Sequence, residues 1–468
     1  MALRRRLSIG AGVATVAAKC PAGERAMDNW QKASAAELGR DIAAGRRDPV
    51  ELAEAFLDAS AAHPYGARIY ARLTPARARA EAEAARARAR AGLRLGPLDG
   101  VPISWKDLFD TAGTVTEAGT ALLEGRVPDR DARVLAAATA QGLVCLGKTH
   151  MTELAFSGLG LNPVTASPPN VIDPALVSGG SSSGAATSVA FGLAPAGIGS
   201  DTGGSVRIPS AWNDLVGLKT TAGRLSLEGV VPLCESFDTV GPLCRTVEDC
   251  ALLLAAMEGG RAADLRDTSL RGARLAVLET TAFDDIEDAP AQAFDNAVAR
   301  LAAAGATVER LRHDPMDEAM ALSPILFAPE AYGTWKEAIE AAPERMFPQI
   351  LERFRGGAAV AAADFVAGWR RLRALRAGYL AASAGYDAVL VPTCPILPPN
   401  AARLETDGDY FKRANLLTLR NTRIGNLMGL CVLTLPTGVP ATGLSLMAAP
   451  GTEEALLRLG TAAEAALA

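Results

Sequence analysis

The chain has 468 residues, 49% of them hydrophobic, which is enough to bury a large core. A net charge of −5 gives no reason to bind nucleic acid or an acidic membrane surface, and no apolar run is long enough to span a bilayer. The length admits two or three domains, or one large α/β unit.

Residues 3–20, LRRRLSIGAGVATVAAKC, set arginines before a short apolar run, as a twin-arginine export signal does. A start at Met27 accounts for the same residues, because the first capped helical pattern begins only at Ser34, with Glu37 three positions later. The 7 cysteines (Cys20, Cys145, Cys234, Cys244, Cys250, Cys394 and Cys431) are scattered and form no CxxC pair. They read as buried reduced thiols and favour a cytoplasmic protein. Residues 1–27 are therefore read as an extension, non-native or targeting, before a folded domain over 28–468.

Within that domain, 28–95 reads as a helical layer. Asp48-Pro49 and Thr74-Pro75 each offer a cap followed by proline at the first helical position. The second helix interleaves arginines with Glu81 and Glu83, the pattern of a solvated face and not of a nucleic-acid patch. From Gly96 the texture changes. GPLDGVPISWKDLFDTAG, a short β-like run closed by turn residues, GLVCLGKT and LAPAGIGSDTGG read as strand segments, separated by the helical stretches DARVLAAATAQG and GAATSVAFG. The pattern recurs over 261–468, with ARLAVLE, PAQAFDNAVARLAAAG, ATVERL, long helices to about residue 383, and YDAVLVPTCP. Such alternation predicts one large layered α/β domain: a central twisted sheet, mostly parallel or mixed, with helices on both faces. Its core falls in 96–260.

Two chemistries can be set aside on these residues. Gly142–Thr149 matches GxxxxGK[ST], but Leu143, Val144, Cys145 and Leu146 suit a buried strand better than a loop wrapped round phosphate. His63, His150 and His313 are far apart, none with a second ligand at helical or hairpin spacing, so no metal or other cofactor is expected.

Serine chemistry remains. GGSSSG, residues 179–184, supplies three hydroxyls, and His150 is the one histidine near motif-like sequence. A lysine can replace histidine as base if burial keeps it neutral. Lys106 interrupts the apolar run after Val101, although local sequence by itself favours an ion pair with Asp107 or Asp110 over a neutral base. Thr202-Gly203-Gly204-Ser205 can gather several backbone N–H groups into a nest for an oxyanion.

Three segments together resemble the amidase signature family: GVPISWKDLFDTAG, then GGSSSGAATSVAFGLAPAGIGSDTGGSVRIPSAWNDLVGLKTT, then GVVPLCESFDTVGPLCRTVEDCALLL. Weaker likeness extends to GKTHMTELAFSG, YDAVLVPTCPILPP and RNTRIGNLMGLCVLTLPTG, so the resemblance covers roughly 30–450. It implies a Ser–cis-Ser–Lys triad with Ser205 as nucleophile, Ser181 as proton relay after a cis Gly180–Ser181 bond, and Lys106 as base. The backbone of Thr202, Gly203, Gly204 and Ser205 would hold the oxyanion. The implied substrates are small amides, with carbamates and esters as further classes. The chain would act alone, as a homodimer, or as the glutamine-hydrolysing subunit of a tRNA-dependent amidotransferase. Two departures stand out: Ser183 replaces a usual glycine, and Trp105 a smaller aliphatic residue.

Overall fold

The computed structural model describes residues 30–468. Residues 1–29, including the export-like stretch, Met27 and Cys20, lie outside the described residues.

The N-terminal helices start where their caps dictate. Ser34 and Glu37 form a reciprocal capping box, Glu37 N to Ser34 Oγ at 3.1 Å and Ser34 N to Glu37 Oε2 at 2.8 Å. Asp48 Oδ1 accepts from Val50 N at 2.8 Å ahead of the helix Pro49–Ala62. Thr74 behaves differently. Its hydroxyl donates to Cys145 O at 2.8 Å and caps nothing, because Thr74 directly follows a short strand, Tyr70–Leu73, paired with the strand that carries Cys145. The layer read as helical over 28–95 therefore contains one strand.

That strand is β1. It is followed by β2 (Pro102–Lys106), β3 (Val144–Thr149), β4 (Ala196–Ser200), β5 (Val216–Lys219), β6 (Val240–Cys244) and β7 (Arg274–Glu279). The remainder are β8 (Thr307–Arg312), β9 (Ala388–Pro392), β10 (Cys431–Pro436) and β11 (Gly443–Ala448). All join one 11-stranded sheet in the order β1-β3-β2-β4-β6-β5-β10-β11-β9-β7-β8. Parallel pairing is confined to β3-β2-β4 and to β9-β7-β8; every other pairing is antiparallel. The sheet is thus mixed, flanked by helices, and forms a single α/β unit.

Every residue of β2, β3, β4, β5 and β6 is buried, which explains the apolar reading of the first three. Edge strand β8 is exposed except at half-buried Val308 and Leu311 and carries Glu309, Arg310 and Arg312, charges that discourage edge-to-edge pairing. The parallel neighbours β2 and β4, with Ser104 opposite Gly197 and Trp105 opposite Ile198, end on the same side of the sheet. Binding sites of open α/β sheets lie outside such carboxyl ends.

Candidate active site

Lys106 is the last residue of β2 and is 0% exposed. Its Nζ donates to Ser181 Oγ at 2.7 Å and to Ser200 Oγ at 2.8 Å. The local alternative, an ion pair with Asp107 or Asp110, does not form. Asp107 faces Lys148 at 3.3 Å and Arg72 at 3.6 Å, while Asp110 holds Arg126 at 2.6 Å. Burial pushes the Lys106 ammonium down to about 7, against the pull of the Asp238 and Asp201 charges. An amine so placed is present in part as the neutral base at neutral pH.

Ser181 precedes the helix Ser183–Ala190, and the Gly180–Ser181 peptide is cis. Backbone bonds fix the loop: Gly179 N to Leu159 O at 3.1 Å, Gly180 N to Gly158 O at 2.8 Å, and Thr152 N to Ser181 O at 3.1 Å. A Cβ on Gly180 would lie 2.6 Å from Gly160 N, so the two segments meet here only as glycines. Ser182 turns the other way, its hydroxyl donating to Ser200 O at 3.1 Å and accepting from Ser200 N at 3.3 Å. Among the described residues Ser183 Oγ is buried with no hydrogen-bond partner.

Beyond β4, Ser200 leads into the loop 201–205 and then the helix Arg207–Trp212. Asp201 organises that loop. It accepts from Gly204 N at 2.9 Å and Val206 N at 3.1 Å, and takes a two-pronged bond from Arg207, Nε at 3.0 Å and Nη2 at 2.9 Å. Asn426 Nδ2 adds a fifth donor at 2.9 Å. Burial alone would raise this carboxyl; the Arg207 guanidinium outweighs it and holds Asp201 well below the usual carboxylate range. Thr422 Oγ1 donates to Gly203 O at 2.6 Å, and the Thr202 hydroxyl donates to Asp238. Gly204 has φ +140°, and a Cβ there would sit 2.2 Å from Thr422 Oγ1. The Gly204 amide is thus committed to Asp201. Among the described residues the amides of Thr202, Gly203 and Ser205 carry no hydrogen bond within the protein.

Ser205 reaches the serine loop through its carbonyl, which accepts from Ser182 N at 3.3 Å. Among the described residues no direct hydrogen bond joins Ser205 Oγ to Ser181. Such contacts are commonly long in an unliganded enzyme and tighten with substrate. Ser205, Thr202 and Gly203 line a cavity of about 450 Å³ walled by Phe156, Leu233, Phe327 and Leu419. Arg353 and Arg423 line it as well.

The motif Gly142–Thr149 is the strand β3 and its approach, with Lys148 inside the sheet against Asp107 and against Thr116 Oγ1 at 2.9 Å. His150 lies beside Arg72 and Glu117, outside the cavity lining, with burial pushing its imidazole down to about 4. His63 packs on Phe191 and His313 on Tyr379. The described residues contain no group of three or more His, Cys, Asp or Glu side chains that could hold a metal ion.

Sequence reasoning misses Ser200, Asp201, Arg207, Asn426 and the two cavity arginines. Ser200 and Asp201 stand inside the quoted GIGSDTGGS, so their signal is present but reads only as a nest. Arg353 and Arg423 sit on the helices Pro348–Arg355 and Gly408–Leu427, where an arginine looks like any solvated surface charge.

The fold and this cluster can be set beside known proteins. The amidase family model matches residues 51–457. The 2-amino-5-chloromuconic acid deaminase of Comamonas testosteroni is 36% identical over 429 residues, covering 88% of this chain and 92% of its own. A glutamyl-tRNA(Gln) amidotransferase subunit of Thermobifida fusca (strain YX) is 30% identical, over 94% of this chain and 97% of its own. A crystal structure of an amidase superposes with a TM-score of 0.84 at 31% identity, over 93% of this chain and 100% of that one. These findings define an enzyme that hydrolyses amide C–N bonds. The chain belongs to the amidase family.

Proposed function

We propose that this chain cleaves small amides through an acyl-enzyme on Ser205, with Ser181 carrying protons between Ser205 and Lys106. The observation that carries the reading is the Lys106 amine, buried, bonded to no carboxylate, and 2.7 Å from Ser181 Oγ. A neutral amine has one lone pair and two N–H bonds. With one N–H turned to Ser200, the lone pair can accept the Ser181 proton.

As Ser205 Oγ attacks the carbonyl carbon, its proton passes to Ser181, and the Ser181 proton passes to Lys106. The oxygen that gains charge faces the amides of Thr202, Gly203 and Ser205, each well-placed donor contributing about 3 kcal/mol. On collapse the C–N bond breaks and the proton returns from Lys106 through Ser181 to the leaving nitrogen, which departs as a neutral amine or ammonia. Water then enters, gives its proton to the same relay, and releases the acid with Ser205 restored. Esters and carbamates place a carbonyl in the same position and are further substrates on this reading.

Ser205→Ala should lower turnover of a test amide by at least about 10³-fold. Near-normal turnover by that variant would remove Ser205 from the mechanism.

A second reading rests on the near full-length similarity to the amidotransferase protein of Thermobifida fusca. On it, the same cluster hydrolyses glutamine for a partner. Copurification with a partner, together with glutamine turnover above that of simple amides, would select it.

A further inference from the structure

Arg353 and Arg423 line the cavity that holds Ser205, and among the described residues neither has an acidic partner. Arg353 lies over the Phe156 ring, 4.5 Å from its centroid, and its Nε is buried without a hydrogen bond. Arg423 follows Thr422, which clasps Gly203; its Cγ is 3.9 Å from where a Gly203 Cβ would sit. Among the described residues neither guanidinium makes an ion pair or hydrogen bond. The one acid in the lining, Glu352, is already paired with Lys412 at 2.7 Å.

This arrangement is unfavourable on its own. Burial pushes the Arg353 guanidinium down to about 9, the Arg423 charge adds to that, and burial pushes Arg423 itself down to about 10. Elsewhere in the protein the buried arginine is neutralised: Arg207 is clamped to Asp201. Both side chains are half-buried, with Arg353 Nε fully enclosed, and cations drawn partly out of water without a counter-charge cost free energy unless something brought to the site supplies it. Guanidinium groups match carboxylates in shape as well as charge.

We infer that Arg353 and Arg423 bind a carboxylate on the acyl part of the substrate, so that the preferred substrates are half-amides of short dicarboxylic acids. This rests on the Ser205 acyl-enzyme reading. The acyl part is assigned because it stays bonded to Ser205 through both half-reactions while the amine departs. The cavity lined by Ser205 must therefore house the acyl group. Its apolar wall of Phe156, Leu233, Phe327 and Leu419 suits the intervening carbon chain. Glu352, the acid among the described lining residues, already faces Lys412, so an α-ammonium group would have to displace that lysine. A half-amide without an amino group is accordingly favoured over glutamine.

The test compares succinamate, glutaramate and adipamate with the uncharged amides butanamide, pentanamide and hexanamide, and with glutamine. It uses the whole chain and the variants Arg423→Gln, Arg423→Lys and Arg353→Gln. At least one half-amide should exceed its uncharged counterpart in kcat/KM by about 10²-fold, the order expected of charge-assisted bonds. That ratio should fall at least tenfold in Arg423→Gln and partly recover in Arg423→Lys. The matching dicarboxylate should protect Ser205 from a fluorophosphonate probe. Equal or lower rates for every half-amide, an unchanged ratio in both glutamine variants, or labelling of Ser205 with neither half-amide turnover nor dicarboxylate protection would overturn the assignment. Failure of the probe to label Ser205 in the unmodified enzyme would instead overturn the acyl-enzyme reading. If Arg353→Gln does not fold, the Arg423 pair decides alone.

Discussion

A protonated lysine cannot accept the Ser181 proton, so kcat/KM should rise with pH through about 7, where burial sets Lys106, and then level off. Lys106→Ala should lose that limb along with most of the rate; a fully active variant would return attention to His150. Ser200 is a positioning residue on this account, since its hydroxyl accepts an N–H of Lys106 at 2.8 Å. Ser200→Ala removes a bond that favours the charged amine, so the limb should move to lower pH while turnover falls about tenfold. Ser200→Thr should restore the limb. An unmoved profile in Ser200→Ala would reduce Ser200 to packing. In the sequence, Lys106 is visible only by resemblance. Read locally, it has two aspartates at hand, and only the fold shows both engaged elsewhere, by Lys148 and Arg72 and by Arg126.

The loop 201–205 keeps its shape because neighbouring elements hold it. Asp201 ties it to the helix Arg207–Trp212, and Thr422 and Asn426 tie it to the helix Gly408–Leu427. Arg207→Leu would strand a buried carboxylate and should cost about 3–5 kcal/mol in denaturant unfolding. A loss below about 1 kcal/mol would mean that the Asp201 cluster relaxes without it. Gly204→Ala meets Thr422 Oγ1 at 2.2 Å in a backbone conformation foreign to alanine. It should cost activity before it costs the fold, which paired turnover and unfolding measurements would show. Element by element, caps and apolar runs were legible where sequence neighbours decide the outcome, as at Ser34 and Asp48. Thr74 misleads because a distant carbonyl, Cys145 O, competes for its hydroxyl. β6 was not legible as a strand because Val240–Cys244 contains glycine and proline, yet Pro242 sits opposite Ile198 deep in the sheet.

At the scale of the molecule, one sheet brings together groups from Lys106 to Arg423. Its mixed pairing places β2 and β4 side by side, so that Lys106 and Ser200 meet at their carboxyl ends. No reading of local spacing yields that meeting, nor the arrival of Arg353 and Arg423 at the same cavity. The α/β class was legible because alternation of strand and helix is a local pattern. The six described cysteines are buried and unbridged, Cys145, Cys234, Cys244, Cys250, Cys394 and Cys431, in keeping with their apolar surroundings. The described helices include none long and apolar enough to cross a membrane. The central claim, that catalysis passes through a covalent bond to Ser205, is tested most directly by quenching the enzyme during turnover and locating the acyl group by peptide mass spectrometry. One acyl mass is expected on Ser205, and none on the same peptide of Ser205→Ala. An acyl group on any other residue, or turnover by Ser205→Ala at the unmodified rate, would contradict it.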